Sequence, residues 1–112
     1  MVDYVPEQGH IVWLTLNPYK GHEQSGRRPA IVLSPSSYNA RVGLAIFCPI
    51  TSKEKGYPFE IKLPINCSIQ GVILADQIKS LDWRSRNAEY ICKVTKSILQ
   101  KISKKLTLLL PD

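Results

Sequence analysis

Several things are scarce in this chain of 112 residues. There are only three cysteines, Cys48, Cys67 and Cys92, widely spaced and with no CxxC pair, so neither a zinc site nor a disulfide framework is signalled. Cys48 and Cys92 fall in apolar stretches and read as small core residues. No apolar run approaches the ~20 residues that cross a bilayer. No repeat, low-complexity tract or linker interrupts the chain. The start, Met1-Val2-Asp3-Tyr4-Val5-Pro6, lacks the basic residues and apolar core of a signal peptide, so a cytoplasmic protein without membrane contacts is expected. No metal-ligand motif occurs, and no metal or other cofactor is expected. Acidic residues are few: 9 Asp and Glu against 15 Lys and Arg, a net charge of +6. That balance favours a polyanionic partner, either nucleic acid or an acidic protein.

What is present suffices for one domain spanning residues 1–112, with 44% apolar residues and a single modest core. Residues 11–16 and 29–33 are rich in β-formers and read as strands, the first stopped by Asn17-Pro18. Turn chemistry at residues 34–39 allows a short helical turn. Residues 44–50 read as an apolar strand, 59–63 as an alternating strand with one wet face, and 71–78 and 88–94 as two more. Ile98, Leu99, Ile102, Leu106 and Leu109 recur at helical spacing, with Thr95 or Ser97 as cap. The pattern is mainly β with a C-terminal helix: a small, bent barrel or sandwich with the helix packed on it.

The most informative stretch is GHEQSGRRPAIVLSP, residues 21–35. A Gly-punctuated polar loop delivers Arg28 to the mouth of a rigid strand. A guanidinium there can grip phosphate in a fixed pose, or serve as a structural ion-pair partner. Arg27 points the other way in an extended chain and reads as a surface charge. Thr51 closes an apolar strand, so its hydroxyl faces whatever the next loop covers, or merely caps a turn. His22 and Glu23 lie close enough in sequence to share a cleft with Arg28, whereas His10 reads as a surface residue. Asp76 and Gln77 interrupt an apolar strand, which costs stability unless both are satisfied. Ser52, Lys53, Lys55 and Tyr57 form a polar, basic and aromatic loop suited to single-stranded RNA. Trp83 with Arg84 and Arg86 could do the same, although a core role fits Trp83 better.

Taken in order, GHEQSGRRPAIVLSP, CPITSKEKGYPFEI and GVILADQIKSLDWRSR resemble the MazF/PemK family of toxin endoribonucleases over nearly the whole chain. KGYPFE resembles the MazF branch. The resemblance implies an SH3-like β-barrel, of the type shared by MazF, PemK and CcdB, that forms a homodimer. It implies a metal-independent, ribosome-independent toxin of a type II toxin-antitoxin system. Such a toxin cuts single-stranded mRNA through its 2′-hydroxyl and leaves 2′,3′-cyclic phosphate and 5′-hydroxyl ends. It further implies that Arg28 and Thr51 are catalytic, and that Glu23 and Gln77 line the RNA groove. A cognate acidic antitoxin would cover that groove, and operator DNA would be met only through the antitoxin complex. In the PemK pattern an arginine stands two residues before the aspartate matched by Asp76. Here that position is Leu74, so the acid–base pair is broken, while His22 and Asp76 remain as auxiliary candidates. Two rivals stand beside this reading: a CcdB-like gyrase-binding poison, and a non-catalytic RNA-binding barrel. The chain ends without the aromatic residue that the gyrase poisons use.

Overall fold

The computed structural model describes residues 4–16 and 26–111. Asn17-Pro18, His22 and Glu23 therefore lie outside the described residues. Seven strands and two helices follow in order: β1 (His10–Leu16), β2 (Gly26–Val32), α1 (Ser36–Val42), β3 (Ala45–Thr51), β4 (Glu60–Lys62), β5 (Val72–Leu74), β6 (Lys79–Leu81), β7 (Glu89–Lys93) and α2 (Lys96–Leu109). They make one antiparallel sheet in the order β4-β5-β3-β2-β1-β7, with β6 also paired to β3. Among the described residues β4 does not pair with β7, so the sheet is barrel-like without closing.

β1, β3 and the second half of β2 are apolar nearly throughout because both of their faces are covered there. Ile11, Ile31 and Cys48 turn toward α2 and pack with Ile98 and Ile102. Their neighbours Val12, Ala30 and Phe47 turn the other way, into a second cluster closed by Trp83. Side chains alternate faces along a strand, so a strand buried on both sides loses its polar alternation. Trp83 is a core residue, as the sequence suggests: its indole N–H donates to the Asn39 carbonyl at 3.0 Å, and the Arg84 guanidinium lies 4.9 Å from the ring centre. Thr95 stands at the N-cap of α2 but makes no side-chain capping bond. The apolar stripe of α2 outruns the sheet, and Leu108, Leu109 and Leu110 are exposed.

Three expectations need correction. The apolar run 71–78 is not one strand. Phe47 pairs with Lys79 and Ile50 with Ile73, so three steps along β3 meet six along its partner. The three extra residues bulge out between β5 and β6, and Asp76 and Gln77 ride on that bulge, where no ladder bond is demanded of them. His10 is buried rather than on the surface. Its Nδ1 accepts from the Glu7 amide at 3.3 Å and from the Tyr4 hydroxyl at 2.6 Å, and Tyr90 packs edge-on at 4.7 Å between ring centres. Arg27 is not a simple surface charge. It donates to the Thr15 hydroxyl, the Asn87 carbonyl at 2.7 Å and Glu89 at 3.1 Å, tying β1, β2 and β7 together.

Candidate active site

Pro29 decides where a cleft opens, because the next pair of the β2–β3 ladder would need its N–H to reach Ile50. A proline has no N–H to give to a sheet ladder. The β2–β3 ladder runs through Val32↔Phe47, Ile31↔Cys48 and Ala30↔Pro49, and ends there. Beyond that point β3 continues against β5 through Ile50↔Ile73 and Thr51↔Val72, while β2 stays with β1 through Pro29↔Trp13 and Arg28↔Leu14. Between the unladdered strand ends lies an open cleft of about 860 Å³, lined by Trp13, Leu16, Arg27, Arg28, Pro29, Pro49, Ile50, Thr51, Ser52, Lys53, Ser68, Ile69 and Gln70. Arg28 comes from β2 and Thr51 from the end of β3. Among the described residues that line it there is no Asp or Glu, and three are cations, so the cleft suits an anion.

Thr51 is held from two sides. Its hydroxyl oxygen accepts from the Lys53 amide at 3.2 Å, which orients Oγ1 at the cleft wall while its O–H remains a donor. Behind it, Gly71 packs directly on the Thr51 backbone. A Cβ on Gly71 would come within 2.2 Å of the Thr51 carbonyl oxygen, and the φ of +132° is one that only glycine adopts readily.

The loop after Thr51 is shaped by its own sequence. Glu60 accepts from the amide of Lys55 at 3.0 Å and from that of Gly56 at 3.0 Å. The glutamate closing KGYPFE thus collects two backbone donors that the turn would otherwise leave unpaired. Tyr57 donates to Asp76 Oδ2 at 2.8 Å, and that bond raises the Tyr57 pKa above its ordinary value. Asp76 Oδ1 is buried and has no partner among the described residues.

The sequence candidates therefore divide. Arg28, Thr51, Ser52 and Lys53 line one cleft. Lys55, Tyr57, Asp76 and Gln77 do not line it; the first three shape or brace the neighbouring loop. Gly71 and Glu60 support the site without belonging to any candidate motif; their only sequence signals are a glycine opening a strand and a glutamate four residues after a glycine. Among the described residues no group of three or more His, Cys, Asp or Glu side chains is placed to hold a metal ion.

Residues 7–110 match the family described as PemK-like, MazF-like toxin of type II toxin-antitoxin system. The chain is 45% identical over 107 residues to the endoribonuclease toxin MazF of Escherichia coli K12, covering 96% of each chain. It is 28% identical to the endoribonuclease PemK of Escherichia coli, covering 93% of this chain and 81% of that one. A solved MazE-MazF structure from Deinococcus radiodurans superposes with a TM-score of 0.92 at 54% identity, covering 96% of this chain and 97% of that one. The chain belongs to the PemK-like, MazF-like family of type II toxins.

Proposed function

We propose that this protein is an endoribonuclease toxin and that the cleft between β2 and β3 is where it cuts single-stranded RNA. The observation that carries the reading is the joint presence of Arg28 and Thr51 in one basic cleft that contains no carboxylate among its described lining. RNA supplies its own nucleophile. The 2′-oxygen attacks the adjacent phosphorus, the P–O5′ bond breaks, and the products carry a 2′,3′-cyclic phosphate and a 5′-hydroxyl. Negative charge grows on the phosphorane oxygens in the transition state. The Arg28 fork and the Thr51 hydroxyl offer preoriented donors for that charge, and Arg28 can also bond the leaving 5′-oxygen. Lys53 and the 68–70 segment hold the strand on either side.

Relatives solved as MazE-MazF complexes support an antitoxin partner. An acidic, disordered antitoxin segment fits a basic cleft, competes there with RNA, and loses affinity as salt rises. The exposed Leu108, Leu109 and Leu110 offer apolar surface for a second copy, giving a homodimer that light scattering over a dilution series would reveal.

The test of the activity is incubation of the purified chain with a long single-stranded RNA in excess chelator. Cleavage with 5′-hydroxyl products is expected. A substrate with a 2′-deoxy residue at the cut site should resist. Products bearing a 5′-phosphate, or cutting of the deoxy substrate, would assign the attack to water and overturn the mechanism.

A further inference from the structure

Cys67 and Cys92 are 25 residues apart in sequence, yet their sulfurs lie 2.6 Å from each other. All three cysteines are free thiols; Cys48 shares the core cluster but is fully buried in β3, where its thiol donates to the Ala75 carbonyl at 3.8 Å. Cys67 packs into the core cluster in the turn after β4, while Cys92 sits on β7 at the end of the sheet path, partly buried against the same cluster. Ser68, Ile69 and Gln70, which directly follow Cys67, form one wall of the basic cleft. That wall is held by two backbone hydrogen bonds: the Cys67 N–H donates to the Pro64 carbonyl at 3.2 Å and the Leu63 N–H to the Gly71 carbonyl at 3.1 Å. A bond from Cys67 to β7 would join it to the strand whose Glu89 pairs with Arg27.

We propose that Cys67 and Cys92 are a thiol modification site, which a low-molecular-weight disulfide such as glutathione disulfide converts to an internal disulfide that ties the cleft wall to β7. Cys92, the more exposed of the two, attacks one sulfur of glutathione disulfide and expels the first glutathione as thiolate. Cys67 then attacks the Cys92 sulfur of the mixed disulfide and expels the second. One protein S–S bond forms, one glutathione S–S bond is lost, and the two protein thiol protons end on two glutathione thiols. No large backbone movement is needed, because the sulfurs already meet. Burial and the bond to Cys67 push the Cys92 thiol up to about 12, so its thiolate is scarce near neutrality and closure quickens as pH rises. The effect on RNA rests on the reading of the cleft given above; the disulfide itself does not.

The test uses the full chain, reduced, desalted and incubated with glutathione disulfide at mildly alkaline pH. Thiols are counted in denaturant, intact mass is measured, and peptides are mapped. Two of the three thiols should disappear, the mass should fall by two hydrogens, and one peptide pair should join Cys67 to Cys92. The melting temperature should rise by roughly 5 °C or more and return on reduction with dithiothreitol. Oxidised protein should cleave RNA more slowly, with recovery after reduction. Cys67→Ser and Cys92→Ser should each show no rise in melting temperature. Stable glutathione adducts on the unmodified chain, a disulfide between two chains, or an unchanged thiol count would overturn the site. A disulfide that leaves cleavage unchanged would overturn its link to the cleft. If reduced protein cuts no RNA, the cleft reading fails, while mass and melting still judge the disulfide.

Discussion

Arg28 and Thr51 face a common cleft from two strands whose shared ladder has already ended, at Ala30↔Pro49. Pro29 has no N–H to carry the β2–β3 ladder on to Ile50, so the strand ends part there with Arg28 and Thr51 on either side. Both are attached to strands rather than carried on a free loop, which is what a preorganised electrostatic site requires.

Replacing Arg28 by Ala should lower RNA cleavage by ~100-fold to 1,000-fold, the usual loss for one oriented donor at a developing charge. Arg28→Lys should fail as well, because a point charge does not reproduce the planar fork. Circular dichroism and melting should stay unchanged for both. Near-normal cleavage by the alanine variant would remove Arg28 from the mechanism.

Thr51→Val keeps the shape of the side chain and removes its hydroxyl. Turnover should fall on the order of 100-fold while RNA affinity changes little, since the lost bond belongs to the transition state. Single-turnover kinetics beside filter binding separates the two; a loss confined to affinity would make Thr51 a binding residue only.

Gly71→Ala tests the support behind Thr51. The added methyl meets the Thr51 carbonyl oxygen at 2.2 Å on a backbone with φ of +132°, so the chain must shift at Thr51. A displacement near 1 Å costs about 100-fold in rate. The variant should therefore lose activity at temperatures where it is still folded. Wild-type turnover in a folded Gly71→Ala protein would show that Thr51 tolerates the displacement.

Tyr57→Phe removes the bond to Asp76 Oδ2 and leaves that carboxylate with neither oxygen bonded among the described residues. The loop that carries Lys53 and Lys55 then loses a brace. Substrate concentration for half-maximal rate should rise more than turnover falls. The opposite split, with turnover alone reduced, would give Tyr57 or Asp76 a part in the chemistry.

His10 makes stability depend on pH. Burial lowers its pKa from 6.5, with Lys93 adding to the shift and Glu7 opposing it. Below about 6.5 the unfolded chain takes up a proton that the folded chain resists, so this stability is present above that pH and is lost as pH falls. The melting temperature should therefore drop between about pH 7 and pH 5.5, and drop less in His10→Gln. Parallel profiles for the two proteins would assign the slope to other groups.

The sequence by itself determined the longer strands β1, β2, β3 and β7, the C-terminal helix and the family. Its periodicities and the three motifs depend on near neighbours, and near neighbours are what a linear reading resolves. The faces of β1, β2 and β3 follow from the same alternation once a cover on both sides is granted. Only the tertiary structure decided the rest. Whether residues 71–78 form one strand depends on how β3 divides its edge between β5 and β6, a register no local pattern encodes. Arg27 reads as a surface charge until Asn87 and Glu89 arrive from 60 and 62 residues away. Gly71 merely opens a strand until the Thr51 backbone fills the space where its Cβ would be. Cys67 and Cys92 form no sequence motif, and they meet because the turn after β4 and the far strand β7 pack on the same core cluster.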